Sequence, residues 1–87
     1  MAPIPGELTF PINRRLLAGA VSASDEEILD AMAHAFVYLK LVIEPGGAAG
    51  LAAALQGRLD LHGRTAVVVA SGGNVDPAVF RRALDRL

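Results

Sequence analysis

The residues best placed for chemistry in this sequence are Ser71, Gly72, Gly73 and Asn74. The two glycines let the backbone approach a flat or anionic ligand closely, and Ser71 and Asn74 can each donate or accept a hydrogen bond. They follow an apolar run, residues 65–70, that predicts a strand, and open α/β sheets bind ligands beyond the carboxyl ends of their strands. An ordinary strand-to-helix turn has the same composition, so both interpretations remain open.

Glu44 is the second candidate, because this acid stands directly before Pro45 and a predicted helix. Proline favours extended geometry in the residue that precedes it. The carboxylate then lies at the N-terminus of the helix, where the helix dipole stabilises negative charge. Glu44 is therefore either a ligand-binding group or a helix-capping acid.

The common catalytic and metal-binding patterns are missing from the sequence. There is no cysteine, which excludes thiolate chemistry and disulfides, and neither His34 nor His62 has a second histidine at metal-ligand spacing. Lys40 is the single lysine, and its place near the end of a predicted helix favours an exposed side chain. We predict no metal site and no catalytic residue within this chain.

Local signals predict the helices that position these residues. Ser24 and Glu27 form the pattern of a capping box, and the helix they start has an apolar stripe that continues to Leu39. A second helix is predicted over residues 46–56, and Asp76 with Pro77 should begin a last one. Residues 1–10 are predicted to be an extended N-terminal segment, followed by a short helix over residues 11–17.

The predicted strands are too few to form a sheet by themselves. Residues 65–70 are apolar on both faces, which is typical of a covered strand in a parallel sheet, and the only other candidate is residues 20–23. Two strands are rarely stable alone. The sequence therefore predicts an α/β chain of about two strands and three to four helices, with residues 1–87 forming one part of a larger layered domain.

Composition limits the classes of partner. A net charge of -1 gives no basic surface for nucleic acid, and 53% hydrophobic residues predict a packed chain. No apolar run is long enough to span a bilayer and no signal peptide is recognisable, so we expect no membrane partner and a cytoplasmic location.

Four segments in order, residues 5–11, 24–28, 39–48 and 71–76, resemble the C-terminal third of threonine dehydratases, serine dehydratases and serine racemases. The resemblance implies the fold type II of pyridoxal-phosphate enzymes, with this chain as a partial three-layer fragment of the large domain. It places Ser71 against the pyridine nitrogen of the cofactor and lets Gly72 and Gly73 pass the ring edge, with Asn74 as a further cofactor-binding residue. Glu44 would form a polar wall on the same side of the pocket.

The same resemblance implies a lyase that deaminates L-threonine or L-serine to a 2-oxo acid and ammonia by α,β-elimination. A neutral hydroxyl at Ser71 suits this chemistry, because it does not stabilise a protonated pyridine nitrogen as a carboxylate does. The family's Schiff-base lysine and phosphate-binding loop have no counterpart here, so we expect the isolated chain to be inactive. Its partner would be the N-terminal portion of the parent enzyme.

Two other functions remain open. The chain could be a non-catalytic structural or interaction module, derived from such an enzyme and folded as a homo-oligomer that completes its sheet with a second copy. It could also be a small anion-binding module that uses Gly72, Gly73 and the start of the last helix, although Asp76 places negative charge there. The sequence does not distinguish threonine from serine as substrate, or dehydratase from racemase activity.

Overall fold

A computed structural model describes residues 21–57 and 59–87. Within these residues there are three α-helices, α1 (Asp25–His34), α2 (Pro45–Leu55) and α3 (Pro77–Leu84), and α1 continues into a π-helical segment, Ala35–Leu39. The predicted extended segment and short helix within residues 1–17 lie outside the described residues.

Helix α1 begins with the predicted capping box. The Ser24 hydroxyl accepts a hydrogen bond from the Glu27 backbone N–H at 3.2 Å, and the Glu27 carboxylate accepts one from the Ser24 N–H at 2.8 Å. Two backbone donors that would otherwise lack partners are satisfied in this way. The prediction of a capped helix at this point is confirmed.

The end of the long helix differs from a regular α-helix. After His34 the turns widen into the π-helical segment, which closes at Lys40 with a left-handed φ of 59°. The Leu41 N–H then donates to the Ala35 carbonyl at 3.2 Å, six residues earlier, which is one residue wider than the corresponding bond of a Schellman motif. The helix ends with this closure, and residues 41–44 connect it to the next helix without regular secondary structure.

Helices α2 and α3 both begin at the proline that the sequence marks. Glu44 is extended, with φ -72° and ψ 160°, and Pro45 is the first residue of α2, where its missing N–H costs no hydrogen bond. The predicted start at residue 46 was one residue late. Asp76 caps α3 as predicted, because its carboxylate accepts a hydrogen bond from the Ala78 N–H at 2.7 Å.

The core lies where α1 packs against α2 and α3. Met32 is fully buried at its centre, and the Phe36 and Phe80 rings meet edge to face with centroids 5.4 Å apart. Most other core side chains are small, which allows the helices to approach closely. The buried cluster consists of Leu29, Ala31, Met32, Ala35, Ile43, Ala48, Ala52 and Ala83.

The predicted strands do not form in the described part of the chain. Residues 65–70 have no regular secondary structure, and Val67 and Val69 are 91% and 77% exposed rather than covered on both faces. A strand exists only when a neighbouring strand pairs with its backbone. The number of strands therefore stays a prediction, as does the domain assignment over residues 1–87.

An ion pair joins the last residues of the chain to α1. The Arg86 guanidinium donates two hydrogen bonds to the Asp30 carboxylate, through Nε to one oxygen and through Nη2 to the other, the latter at 3.1 Å. Hydrogen bonding to Arg86 lowers the pKa of Asp30 below its ordinary value of 3.8. The sequence alone did not predict this contact.

Replacing Asp30 with asparagine is expected to lower the midpoint of thermal unfolding slightly at pH 7, since the pair is partly exposed. Because the folded-state pKa of Asp30 is depressed, the stabilisation is present above the unfolded pKa and is lost as pH falls through the folded value. The wild type and Asp30→Asn should therefore converge in acid. Melting curves followed by circular dichroism between neutral pH and about pH 2 test this, with ~3.9 as the unfolded-state reference.

Asp85→Asn is the control, because it removes an exposed carboxylate beside Arg86 without breaking the pair. A difference between wild type and Asp30→Asn that persisted unchanged in acid would contradict the role assigned to the ion pair.

Candidate functional site

The two predicted site segments lie side by side, although they are far apart in sequence. The Glu44 N–H donates a hydrogen bond to the Gly72 carbonyl at 2.9 Å. Gly73, the next residue, lies close to the carbonyl oxygen of Val42, two residues before Glu44, and a Cβ at position 73 would meet that oxygen at 3.0 Å. The chain before α2 and the loop before α3 therefore form one local structure.

Gly72 allows Glu44 to reach this loop. Its φ is 76°, a left-handed conformation that side chains disfavour, and a Cβ there would lie 2.7 Å from the Glu44 carboxyl carbon. The half-buried Glu44 carboxylate thus occupies the space that any side chain at position 72 would need. The two glycines and the acid, which lie in separate sequence motifs, therefore belong to one local arrangement of residues 42–44 and 71–74.

The predicted loop residues face solvent. Ser71, Gly72, Gly73 and Asn74 are all exposed, so Ser71 is accessible to a ligand. A glycine pair without side chains, a hydroxyl at one end and a carboxylate beside it can receive the edge of a flat nitrogen heterocycle such as a pyridine ring. The arrangement fits that edge of pyridoxal phosphate, and other contacts would have to come from residues outside this loop.

The other polar candidates lie away from this arrangement or are engaged locally. The Lys40 ammonium is exposed and donates to the Val37 carbonyl at 2.7 Å, as expected for a lysine at a helix end. His34 is exposed and its ring packs on Tyr38, with centroids 4.5 Å apart. Among the described residues, no group of three histidine, cysteine, aspartate or glutamate side chains could hold a metal ion.

A separate open cavity of about 300 Å³ lies between α2 and residues 66–69. The described residues that line it include no titratable side chain, so they offer no acid, base or nucleophile. The lining residues are Val21, Gly50, Ala53, Ala54, Leu59, Leu61, Ala66, Val67, Val68 and Val69.

The described helices include no candidate membrane-spanning segment.

The sequence did not predict a role in this site for Gly47. Gly47, in the first turn of α2, is buried against the Ser71 carbonyl group, and a Cβ there would lie 2.8 Å from the carbonyl carbon. The sequence motif around Glu44 includes this glycine, but only the packing of α2 against the loop shows which of the two neighbouring glycines makes the contact.

Comparison with known proteins identifies relatives of this chain. Residues 1–72 match the family described as pyridoxal-phosphate dependent enzyme. The chain is 37% identical over 82 residues to the L-threonine ammonia-lyase of Thermotoga maritima, an alignment that covers 94% of this chain and 20% of that protein. No solved structure matches the chain.

Two further relatives carry related names. The serine racemase of Oryza sativa subsp. indica is 38% identical over 84 residues, which cover 91% of this chain and 25% of the relative. The catabolic L-threonine dehydratase TdcB of Escherichia coli K12 is 40% identical over 74 residues, or 83% of this chain and 22% of the relative. The chain thus spans about a fifth to a quarter of the length of these relatives.

Proposed function

This chain belongs to the family described as pyridoxal-phosphate dependent enzyme, a family with the α/β architecture of fold type II, and we propose that it forms the C-terminal part of a threonine or serine ammonia-lyase. The parent enzyme would convert L-threonine or L-serine to a 2-oxo acid and ammonia by α,β-elimination. The names of the relatives support this substrate class.

The observation that carries the proposal is the hydrogen bond between the Glu44 N–H and the Gly72 carbonyl, which brings both predicted site segments together. In the proposed site the Ser71 hydroxyl donates to the pyridine nitrogen, and Gly72 and Gly73 let the backbone pass the ring edge. Asn74 adds a polar group at the end of the loop, and Glu44 forms the polar wall. When bound, pyridoxal phosphate supplies the electron sink for loss of the α-proton and the β-hydroxyl.

We propose that the isolated chain is inactive and that the N-terminal portion of the parent enzyme is its partner. Its single lysine, Lys40, is hydrogen bonded to the Val37 carbonyl at the end of the π-helical segment rather than placed in the loop arrangement. The relatives are four to five times longer than the matched segment, which leaves room for a lysine and a phosphate-binding loop elsewhere.

A chimeric enzyme tests the proposal directly. The 82 aligned residues of this chain replace the matched segment of the Thermotoga maritima L-threonine ammonia-lyase, and formation of 2-oxobutanoate from L-threonine is measured. We expect turnover by the chimera and none by the 87-residue chain with added pyridoxal phosphate. The unaltered Thermotoga enzyme is the positive control. A folded chimera that neither binds pyridoxal phosphate nor forms product would exclude the proposed function.

One observation favours a second function. Val67 and Val69 are 91% and 77% exposed on an apolar segment that pairs with no strand among the described residues, and such a surface promotes association. The alternative is a non-catalytic oligomeric module in which a second copy covers residues 65–70. Sedimentation of the isolated chain over a range of concentrations distinguishes the two, since a stable oligomer together with an inactive chimera would favour the module.

A further inference from the structure

Gly47 is the point at which α2 touches the proposed cofactor loop most closely. An ideal Cβ on Gly47 would overlap the Ser71 carbonyl oxygen and lie 2.8 Å from its carbonyl carbon, so a side chain there forces a neighbour to move. We propose that Gly47 is a positioning residue that fixes the backbone of Ser71 and thereby the direction of its hydroxyl. This inference rests on the proposed function, because it assigns a role toward the same pyridine nitrogen.

The contact is rigid from the side of α2. The Gly47 N–H donates to the Glu44 carbonyl at 3.0 Å, which holds it in the first turn of the helix. Behind it lies the Ile43 side chain, 2.9 Å from the ideal Cβ position and itself only 3% exposed. A methyl group at position 47 therefore has no room to move back into the core.

The loop is the side that must yield. Ser71 is exposed and belongs to a segment without regular secondary structure, so its backbone meets less resistance than Ile43 does. Its neighbour Gly72 is held to Glu44 by the 2.9 Å hydrogen bond. Displacement of the Ser71 carbonyl is thus expected to change the backbone torsions of residue 71 instead of moving the whole loop. Such a change reorients the Cα–Cβ bond and turns the Ser71 hydroxyl away from the pyridine nitrogen of the proposed site.

Gly46 supplies a matched control in the same helical turn. It is exposed, and a Cβ there would meet nothing within 4 Å. Gly46→Ala and Gly47→Ala therefore add the same methyl group at adjacent positions of α2, but only the second one reaches Ser71. Any general effect of replacing glycine in this turn appears in both variants.

The experiment measures the dissociation constant of pyridoxal phosphate for the chimera, together with the melting midpoint of its cofactor-free form. If Gly47 acts through one hydrogen bond of Ser71, Gly47→Ala should raise the dissociation constant by about 10-fold, no more than Ser71→Ala does. Gly46→Ala should stay within about 2-fold of the parent chimera. In a Ser71→Ala background, Gly47→Ala should add less than about 2-fold, because the hydroxyl it positions is already gone.

The outcomes separate the inference from the function on which it rests. A parent chimera without affinity for pyridoxal phosphate overturns the proposed function itself. If the parent chimera binds and Gly47→Ala matches Gly46→Ala, the positioning role alone is wrong. Gly47→Ala could also lower the affinity equally in the parent chimera and in the Ser71→Ala background, or abolish the cooperative melting transition. Either result would show that Gly47 serves packing only.

Discussion

Replacing Ser71 with aspartate in the chimera is expected to reduce the elimination of L-threonine by at least about 10-fold, equivalent to ~1.4 kcal/mol in the barrier. In the proposed site a carboxylate at position 71 would hold a proton on the pyridine nitrogen, whereas the native hydroxyl would only donate a hydrogen bond to it. With aspartate at position 71 the bound cofactor would supply a stronger electron sink, so that loss of the α-proton from L-threonine would be less tightly coupled to departure of the β-hydroxyl. Exchange of the α-proton with solvent deuterium should therefore increase relative to 2-oxobutanoate formation.

Ser71→Thr is the matched control, because it keeps the hydroxyl and should retain most of the activity. The site is exposed in this chain, so the extra methyl group has space. The ratio of exchange to elimination, followed by proton NMR in deuterated buffer, is the informative measurement, since general loss of folded protein lowers both rates together. Unchanged elimination in Ser71→Asp would contradict the assigned contact between residue 71 and the pyridine nitrogen.

Replacing Met32 with alanine is expected to destabilise the isolated chain by about 2 to 5 kcal/mol. Met32 is fully buried in a cluster made largely of alanines, and such small side chains cannot extend into the space that a truncated methionine leaves. A chain of 87 residues has a total stability of roughly 4 to 13 kcal/mol. The variant should therefore lose much of its cooperative unfolding transition.

Two controls separate cavity formation from a general effect of substitution. Met32→Leu nearly conserves the side-chain volume and should cost less than about 1.5 kcal/mol. Val67→Ala removes methyl groups from a side chain that is 91% exposed and should leave the urea midpoint almost unchanged. Equal urea midpoints for Met32→Ala and Val67→Ala would show that the three helices do not form the core described above.

The helix boundaries could be predicted because their causes are local. The Ser24 and Glu27 capping box, the proline that begins α2 and the Asp76 cap of α3 each depend on residues within one helical turn of one another. The π-helical closure at Lys40 was not predicted, since a left-handed lysine has no sequence signal comparable to that of glycine. The predicted strands depend on backbone partners, and the described chain supplies none.

The sequence by itself determined which residues are candidates for a site: a hydroxyl and two glycines in one segment, and an acid before a proline in another. The family resemblance implied that both segments line one pocket, but only the tertiary structure showed how they meet, through the hydrogen bond from Glu44 to Gly72, and that Gly47 rather than Gly46 lies against Ser71. The ion pair of Asp30 and Arg86 was decided in the same way. Contacts between distant segments depend on how the apolar faces of α1, α2 and α3 pack together, and no local pattern of residues encodes that geometry.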